Sequence, residues 1–269
     1  EQFIQSVYDS FLLLAVPLFI TAANIMNVGA ISDRLLDFCK AVVGRFKGGM
    51  AQVDILVSLI FSGMSGSAVA DAAGVGKISI NMMLKTGHYT PGFAGAVVAA
   101  SATIGPIIPP SIPMVLYALV SDASIGYLFL GGVVPGVFVG IGLMIYSHFF
   151  GPVGLKHKRA TFGRFATATK QAAIPLMIPF IVMGGILTGQ FTPTEAGIIA
   201  VAYIVFVAIP LLNRGHYRYL PRDMAMTGLL YSIPLITIGA ASMFGWMLAY
   251  LRGPAVVSGW ISSAAGGDP

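Results

Sequence analysis

Charge is scarce in this chain: charged residues make up 9% of 269, against 57% hydrophobic, and the mean hydropathy is +0.86. That shortage excludes an ordinary water-soluble domain, in which roughly a quarter of residues are charged. Cysteine is scarcer still. Cys39 stands alone, so no intrachain disulfide and no thiolate metal cage can form, and a lone cysteine reads as a small buried residue. The four histidines, His88, His148, His157 and His216, fall in loops or at the ends of apolar runs. A serine nucleophile needs a base within hydrogen-bond reach, so serine hydrolysis is disfavoured. Gly74-Val75-Gly76-Lys77 lacks both the leading glycine and the following Ser/Thr of a phosphate loop. No enzyme is expected.

What is present instead is long apolar runs, at residues 11–26, 125–150, 174–187, 196–212 and 224–250. Most approach the roughly 20 residues that carry a helix across about 30 Å of hydrocarbon. The expected fold class is an all-α polytopic membrane protein. The formal charge of +5 points to no nucleic-acid partner, because the basic residues sit in blocks between the runs. Arg34, Lys40, Arg45 and Lys47 form one block, Lys156, Lys158, Arg159, Arg164 and Lys170 a second, and Arg214, Arg218 and Arg222 a third. Two apolar runs separate the second block from the third, and the connection at 188–194 carries no Lys or Arg. Loops 33–49, 151–170 and 213–223 are therefore assigned to the cytoplasmic side.

Two segments interrupt this pattern. Residues 50–61 make only about 18 Å of helix, too short to cross, before Ser62-Gly63-Met64-Ser65-Gly66-Ser67 breaks the run ahead of a second arm at 68–84. The economical form is a re-entrant hairpin that enters and leaves by the cytoplasmic face. A span starting at 92–104 must then unwind at Gly105-Pro106-Ile107-Ile108-Pro109-Pro110-Ser111, where three prolines stand together, and resumes at 112–120. The basic linker is expected on the inner leaflet, where anionic lipid attracts it. The count is six crossings and one hairpin. The implied organisation is a scaffold span and interfacial segment (1–49), the hairpin (50–90), the broken helix and following span (91–150), the linker (151–170), scaffold spans (171–250) and the start of a second half (251–269). The chain begins at Glu1 in no recognisable signal peptide and ends in Gly-Gly-Asp-Pro without a closing helix. A fragment is expected.

Non-helical backbone at membrane depth survives only inside protein or around a wet cavity. Each break frees carbonyl oxygens, which suit an alkali cation, and exposes helix N-termini, which favour a carboxylate. Ser65, Ser67, Ser101, Thr103 and Ser111 add hydroxyls nearby. One glycine-serine kink ordinarily means helix packing, but two breaks able to meet at mid-depth point to a site. Asp71, on the second arm, is costly inside a membrane and is read as an ion ligand or its partner, or as the complement of that arm's N-terminus. Lys77 snorkels toward the cytoplasm. Thr192-Pro193-Thr194-Glu195 fits a capping box, with Thr192 as N-cap and Glu195 at the third position. Asn24 is helix–helix glue.

The motifs Phe61-Ser-Gly-Met-Ser-Gly-Ser-Ala-Val-Ala-Asp71, Ile104-Gly-Pro-Ile-Ile-Pro-Pro-Ser111 and Phe191-Thr-Pro-Thr-Glu-Ala196, with Gly132-Val-Val-Pro-Gly136 between them, resemble the large membrane subunit of tripartite ATP-independent periplasmic (TRAP) transporters. The resemblance covers essentially the whole chain. It implies an elevator-type carrier in a bacterial or archaeal cytoplasmic membrane, working with a small membrane subunit and a periplasmic binding protein. It also implies uptake of a carboxylate-bearing solute, such as a dicarboxylate or a sialic acid, with Na⁺ as coupling ion and no other cofactor. By analogy the Na⁺ ligands come from Ser62, Gly63, Ser65, Gly66, Ser67, Asp71, Thr103, Gly105 and Pro106. Substrate contacts come from Ser65, Ser67, Ser101, Pro110 and Ser111. Family members carry an inverted second half with its own hairpin, so the chain is expected to hold about three fifths of such a subunit and to be unable to transport alone.

Other readings compete. A different elevator family of anion carriers favours Ser-Asn-Thr patterns at its hairpin tips, where this chain has Ser-Gly-Ser. A non-transporting scaffold would use the breaks only for close packing. Gly63-Met64-Ser65-Gly66 is also similar to the serine loop of intramembrane proteases, without a base to activate it.

Overall fold

The computed structural model describes residues 11–27, 30–121, 123–152 and 162–264, and every regular element among them is helical. Two compact units divide the chain, Glu1–Thr227 and Gly228–Pro269.

The first unit opens with a short 3₁₀ turn, Phe11–Leu14, leading into α1 (Ala15–Asn27). Ala15, Val16, Phe19, Ala22, Ala23 and Met26 bury α1 on several faces, as expected of a helix enclosed by others. α2 (Ala30–Val43) is one-sided. Ile31, Leu35, Cys39 and Val43 recur at four-residue spacing and are buried, while Asp33 and Asp37 are exposed.

The hairpin begins at α3 (Gly49–Ser65). Gly48 is left-handed at φ 85°, and a Cβ there would stand 2.7 Å from both the carbonyl and the hydroxyl of Ser147. Only glycine fits. The Tyr89 hydroxyl donates to the Gly48 carbonyl (2.8 Å) and accepts from the Met50 amide (3.1 Å), so the start of the first arm and the end of the second are fastened together. α3 runs further than the sequence suggests: Ser62, Gly63, Met64 and Ser65 are helical, and the interruption is confined to Gly66 and Ser67. The Ser62 hydroxyl bonds back to the Ser58 carbonyl (2.6 Å), and Gly63 is small because a Cβ would meet Pro179 at 3.1 Å. These residues fit a crowded helix rather than breaking one. The second arm comprises α4 (Ala68–Asp71), a π turn at Ala72–Gly76 and α5 (Lys77–Lys85).

α6 (Pro91–Ala102) is capped by Thr90, whose hydroxyl accepts from the Phe93 amide, with proline at the first helical position. The chain then leaves the helix over 103–111, as the prolines require, and resumes in α7 (Ile112–Ser121). α8 (Ile125–Phe150) follows as one long helix. Its buried face carries Gly132, Gly136 and Gly140, and Cβ atoms there would run into the Ile107 carbonyl, Ile108 and Leu59 respectively. Small residues let α8 close on both the break and the hairpin. Its other side exposes Leu130, Val134, Phe138, Ile141 and Ile145.

α9 (Phe162–Leu187) starts well before residue 174, so residues 162–170, expected in a linker, are its first turns. Residues 153–161, the rest of that basic segment, lie outside the described residues. α10 (Pro193–Tyr203) begins at the expected capping box: the Thr192 hydroxyl accepts from the Glu195 amide, and the Glu195 carboxylate accepts from the Thr192 amide (2.7 Å). A π turn (Ile204–Ala208), α11 (Ile209–Leu212) and a 3₁₀ segment (Arg214–Tyr219) lead to α12 (Leu220–Tyr250). Asn24 donates to the Thr227 hydroxyl (3.1 Å), joining α1 to α12. Three helical stretches among the described residues are long and apolar enough to cross a membrane: Ile125–Phe150, Phe165–Leu187 and Pro193–Leu212.

The second unit holds the remainder of α12 and α13 (Gly253–Ala264), a closing helix the sequence did not lead us to expect. Arg252, at φ 53°, turns the chain between them. Met243, Phe244, Trp246 and Tyr250 are exposed, with Trp246 and Tyr250 stacked at 5.5 Å.

Candidate functional site

The two breaks meet. Gly66, at φ 59°, ends α3 with its amide bonded to the Ser62 carbonyl (3.2 Å), while its own carbonyl accepts from the Ile112 amide (3.3 Å) at the far end of the second break. A Cβ on Gly66 would collide with the Pro110 carbonyl. On the other side, a Cβ on Gly105 would lie 3.0 Å from the Ser67 carbonyl carbon and 3.1 Å from the Ala68 amide nitrogen. Backbone therefore touches backbone at two places, which only residues without a side chain allow. Both glycines were among the expected ligands; the part the structure gives them is this close approach.

The hydroxyls divide by what they do. Ser65 is fully buried, and its oxygen has no hydrogen-bond partner among the described residues. Ser67 caps the second arm by accepting from the Ala70 amide (3.3 Å). Ser111 donates to the Pro106 carbonyl (2.6 Å) and accepts from the Met114 amide, closing the break and starting α7. Thr103 is exposed and donates to the Ala100 carbonyl (2.6 Å). A hydroxyl that has donated its proton still has lone pairs to offer a cation, so these bonds orient oxygens without using them up.

Ser101 and Asp71, each about one helical turn from the contact at Ser67 and Gly105, face other partners. The Ser101 hydroxyl donates to Asp54 (2.8 Å) and stands 3.3 Å from the Ser58 hydroxyl. Asp71 lies close enough to Ser58 and Asp54 to interact, and Ser79 to Asp54, although the Asp71 and Ser79 side-chain oxygens make no hydrogen bond of regular geometry among the described residues. All five residues are buried, on α3, α4, α5 and α6. Ser67 caps α4, and Asp71 stands in its first turn, where a carboxylate complements the helix N-terminus as the alternative reading expected. Sequence reasoning missed Asp54, because the run around it was read for its hydropathy. The signal was present: Asp54, Ser58 and Ser62 repeat every four residues along one face of the first arm.

Discontinuous helices that meet tip to tip inside a helical membrane protein are an arrangement on which many carrier sites are built. The family description "Tripartite ATP-independent periplasmic transporter, DctM component" matches residues 1–269. Among curated relatives, the sialic acid TRAP transporter large permease protein SiaM of Vibrio cholerae is 39% identical over 249 residues, covering 90% of this chain and 57% of its own. The C4-dicarboxylate large permease DctM of Pseudomonas aeruginosa is 33% identical over 94% of this chain and 60% of its own. The 2,3-diketo-L-gulonate large permease YiaN of Escherichia coli is 34% identical over 93% and 59%. The chain belongs to the large-permease (DctM) family of TRAP transporters, and spans somewhat under two thirds of the length of these relatives.

Proposed function

We propose that this chain supplies the first hairpin, the broken helix and part of the scaffold of a sodium-coupled carrier for an organic anion, delivered by a periplasmic binding protein and taken up across the cytoplasmic membrane with a small membrane subunit. The observation that carries the reading is the meeting of the two breaks at Gly66 and Gly105, with the neighbouring Ser65 hydroxyl buried and without a hydrogen-bond partner among the described residues. Sodium is a hard cation that takes oxygen ligands, and Ser65, Ser67 and the backbone of Gly66 and Gly105 would supply such oxygens. Substrate carboxylate would meet Ser65, Ser67, Pro110 and Ser111. The relatives named for sialic acid and C4-dicarboxylates point to a carboxylate-bearing solute.

An elevator mechanism requires the hairpin and the broken helix to travel as one body. Their contacts suit that: Gly66 bonds to Ile112, Tyr89 closes the hairpin base, and the Gln52 amide donates to the Met144 carbonyl (2.7 Å), linking α3 to α8. Six crossings plus the hairpin, with the basic loops cytoplasmic, complete the proposed topology. The test is Na⁺-dependent uptake by the complete transporter carrying Ser65→Ala and Ser67→Ala together. The half-saturating Na⁺ concentration is expected to rise about tenfold or more, and an unchanged sodium dependence overturns the ion-site reading.

A further inference from the structure

The long helix α8 and the second arm of the hairpin expose different kinds of surface. On α8 every exposed residue from Leu130 to Ile145 is apolar, glycine or proline, as a face against lipid tails requires. On the second arm Ala73, Lys77, Asn81 and Lys85, spaced four apart, are all exposed. Val69 and Leu84 are the only large apolar side chains exposed between Ala68 and Lys85. α6 packs against this arm where Gly76 approaches Val98, and its exposed side, with the residue that follows it, presents Ala96, Ala99 and Thr103.

This polar and small-residue surface starts where the breaks meet. Val69 follows Ser67 by two residues, Thr103 precedes Gly105 by two, and Gly105 lies against Ser67 and Ala68. From there the arm descends to the hairpin base, which the Tyr89 hydroxyl fastens to Gly48. Lys77 stands part way, ten residues from Ser67 and eight from Lys85, about 15 and 12 Å along the helix at ~1.5 Å per residue. No ion pair or hydrogen bond joins its ammonium group to another described residue; the ion pairs among the described residues are Lys40–Asp37 and His216–Asp223. A charge at membrane depth is unfavourable against lipid and is found where protein lines water. A lysine stem carries its charge some way toward the interface, but exposed Asn81, one turn nearer the base, has no such stem.

Resting on the carrier reading above, we infer that this face of the second arm lines a water-filled route between the meeting point of the breaks and the cytoplasm, and that Lys77 attracts the substrate carboxylate along it. The cation has the sign that a carboxylate-bearing solute requires, and no paired carboxylate of its own cancels its field. The alanines around it leave room for the solute. At about 15 Å from Ser67, beyond a Debye length of about 8 Å at physiological salt, the charge acts on passage rather than on affinity at the tip.

The test is Lys77→Cys in the complete transporter with its other reactive cysteines replaced; Cys39 is buried and does not compete. In inside-out membrane vesicles a membrane-impermeant thiosulfonate is expected to label this variant and to leave Phe138→Cys, on the exposed apolar side of α8, unlabelled. Exchange of radiolabelled sialic acid, succinate or diketogulonate, whichever the parent carries, is expected to fall about threefold or more in Lys77→Cys. It should return toward the parent rate when the attached group is aminoethyl, which restores a positive charge, and stay low when it is sulfonatoethyl, which adds a negative one. Recovery with aminoethyl also reports that the variant is folded. Labelling of Lys77→Cys no faster than that of Phe138→Cys overturns the route, and exchange indifferent to the sign of the attached group overturns the part given to Lys77. Either result leaves the carrier reading in place if the parent's exchange depends on Na⁺. A parent that exchanges an anion without regard to Na⁺ removes the sodium-coupled reading and leaves this inference standing, and one that exchanges none of the three anions removes both.

Discussion

Single residues decide whether the two breaks can touch. Gly66 combines a left-handed φ of 59° with a position where a Cβ would overlap the Pro110 carbonyl. Gly66→Ala is therefore expected to lower stability by about 1–3 kcal/mol and to abolish the rise in melting temperature expected from the proposed Na⁺ site. Gly48→Ala, strained in the same way but against Ser147, is expected to lower the melting temperature while the Na⁺-dependent rise remains. Thermal melts with and without Na⁺ distinguish the two. At this scale the sequence was legible where a residue type has a narrow conformational meaning, as with the capping box at Thr192 and Glu195. It was illegible where meaning comes from a neighbour. Nothing in Gly63 itself says that it faces Pro179 and stays helical, and nothing in a mostly apolar run says that Asp54 meets Ser101 from another helix.

Among the elements, the long apolar helix Ile125–Phe150 was legible end to end, because a continuous hydrophobic run bounded by Ser124 and Gly151 has few alternatives. The unwinding expected at 105–111 was equally plain, since clustered prolines cannot stay helical, and the structure starts it two residues earlier, at Thr103. The hairpin interruption was drawn too wide, the start of α9 too late, and α13 was missed, because glycine, serine and basic residues break a helix only when no packing compensates. The base of the hairpin depends on one hydroxyl. Tyr89→Phe removes both a donor to Gly48 and an acceptor for Met50, and is expected to cost about 1–3 kcal/mol. Amide hydrogen exchange at the start of α3 should accelerate while that at the hairpin tip does not. Equal acceleration at both ends would mean that Tyr89 does not fasten the base locally.

For the whole molecule, composition established the bilayer as solvent, and the three motifs led to a family that the match over residues 1–269 bears out. The substrate was not legible. The relatives carry names for sialic acid, C4-dicarboxylates and diketogulonate at similar identities of 39%, 33% and 34%, so the residues that fit one anion or another are not set by the shared framework. Coupling is the claim on which the rest of the account stands. It is tested most directly by substrate uptake into proteoliposomes holding the complete transporter and its binding protein, with and without an inward Na⁺ gradient. The account predicts accumulation that collapses when the gradient is dissipated or K⁺ replaces Na⁺. Equal accumulation in the absence of Na⁺ would contradict it.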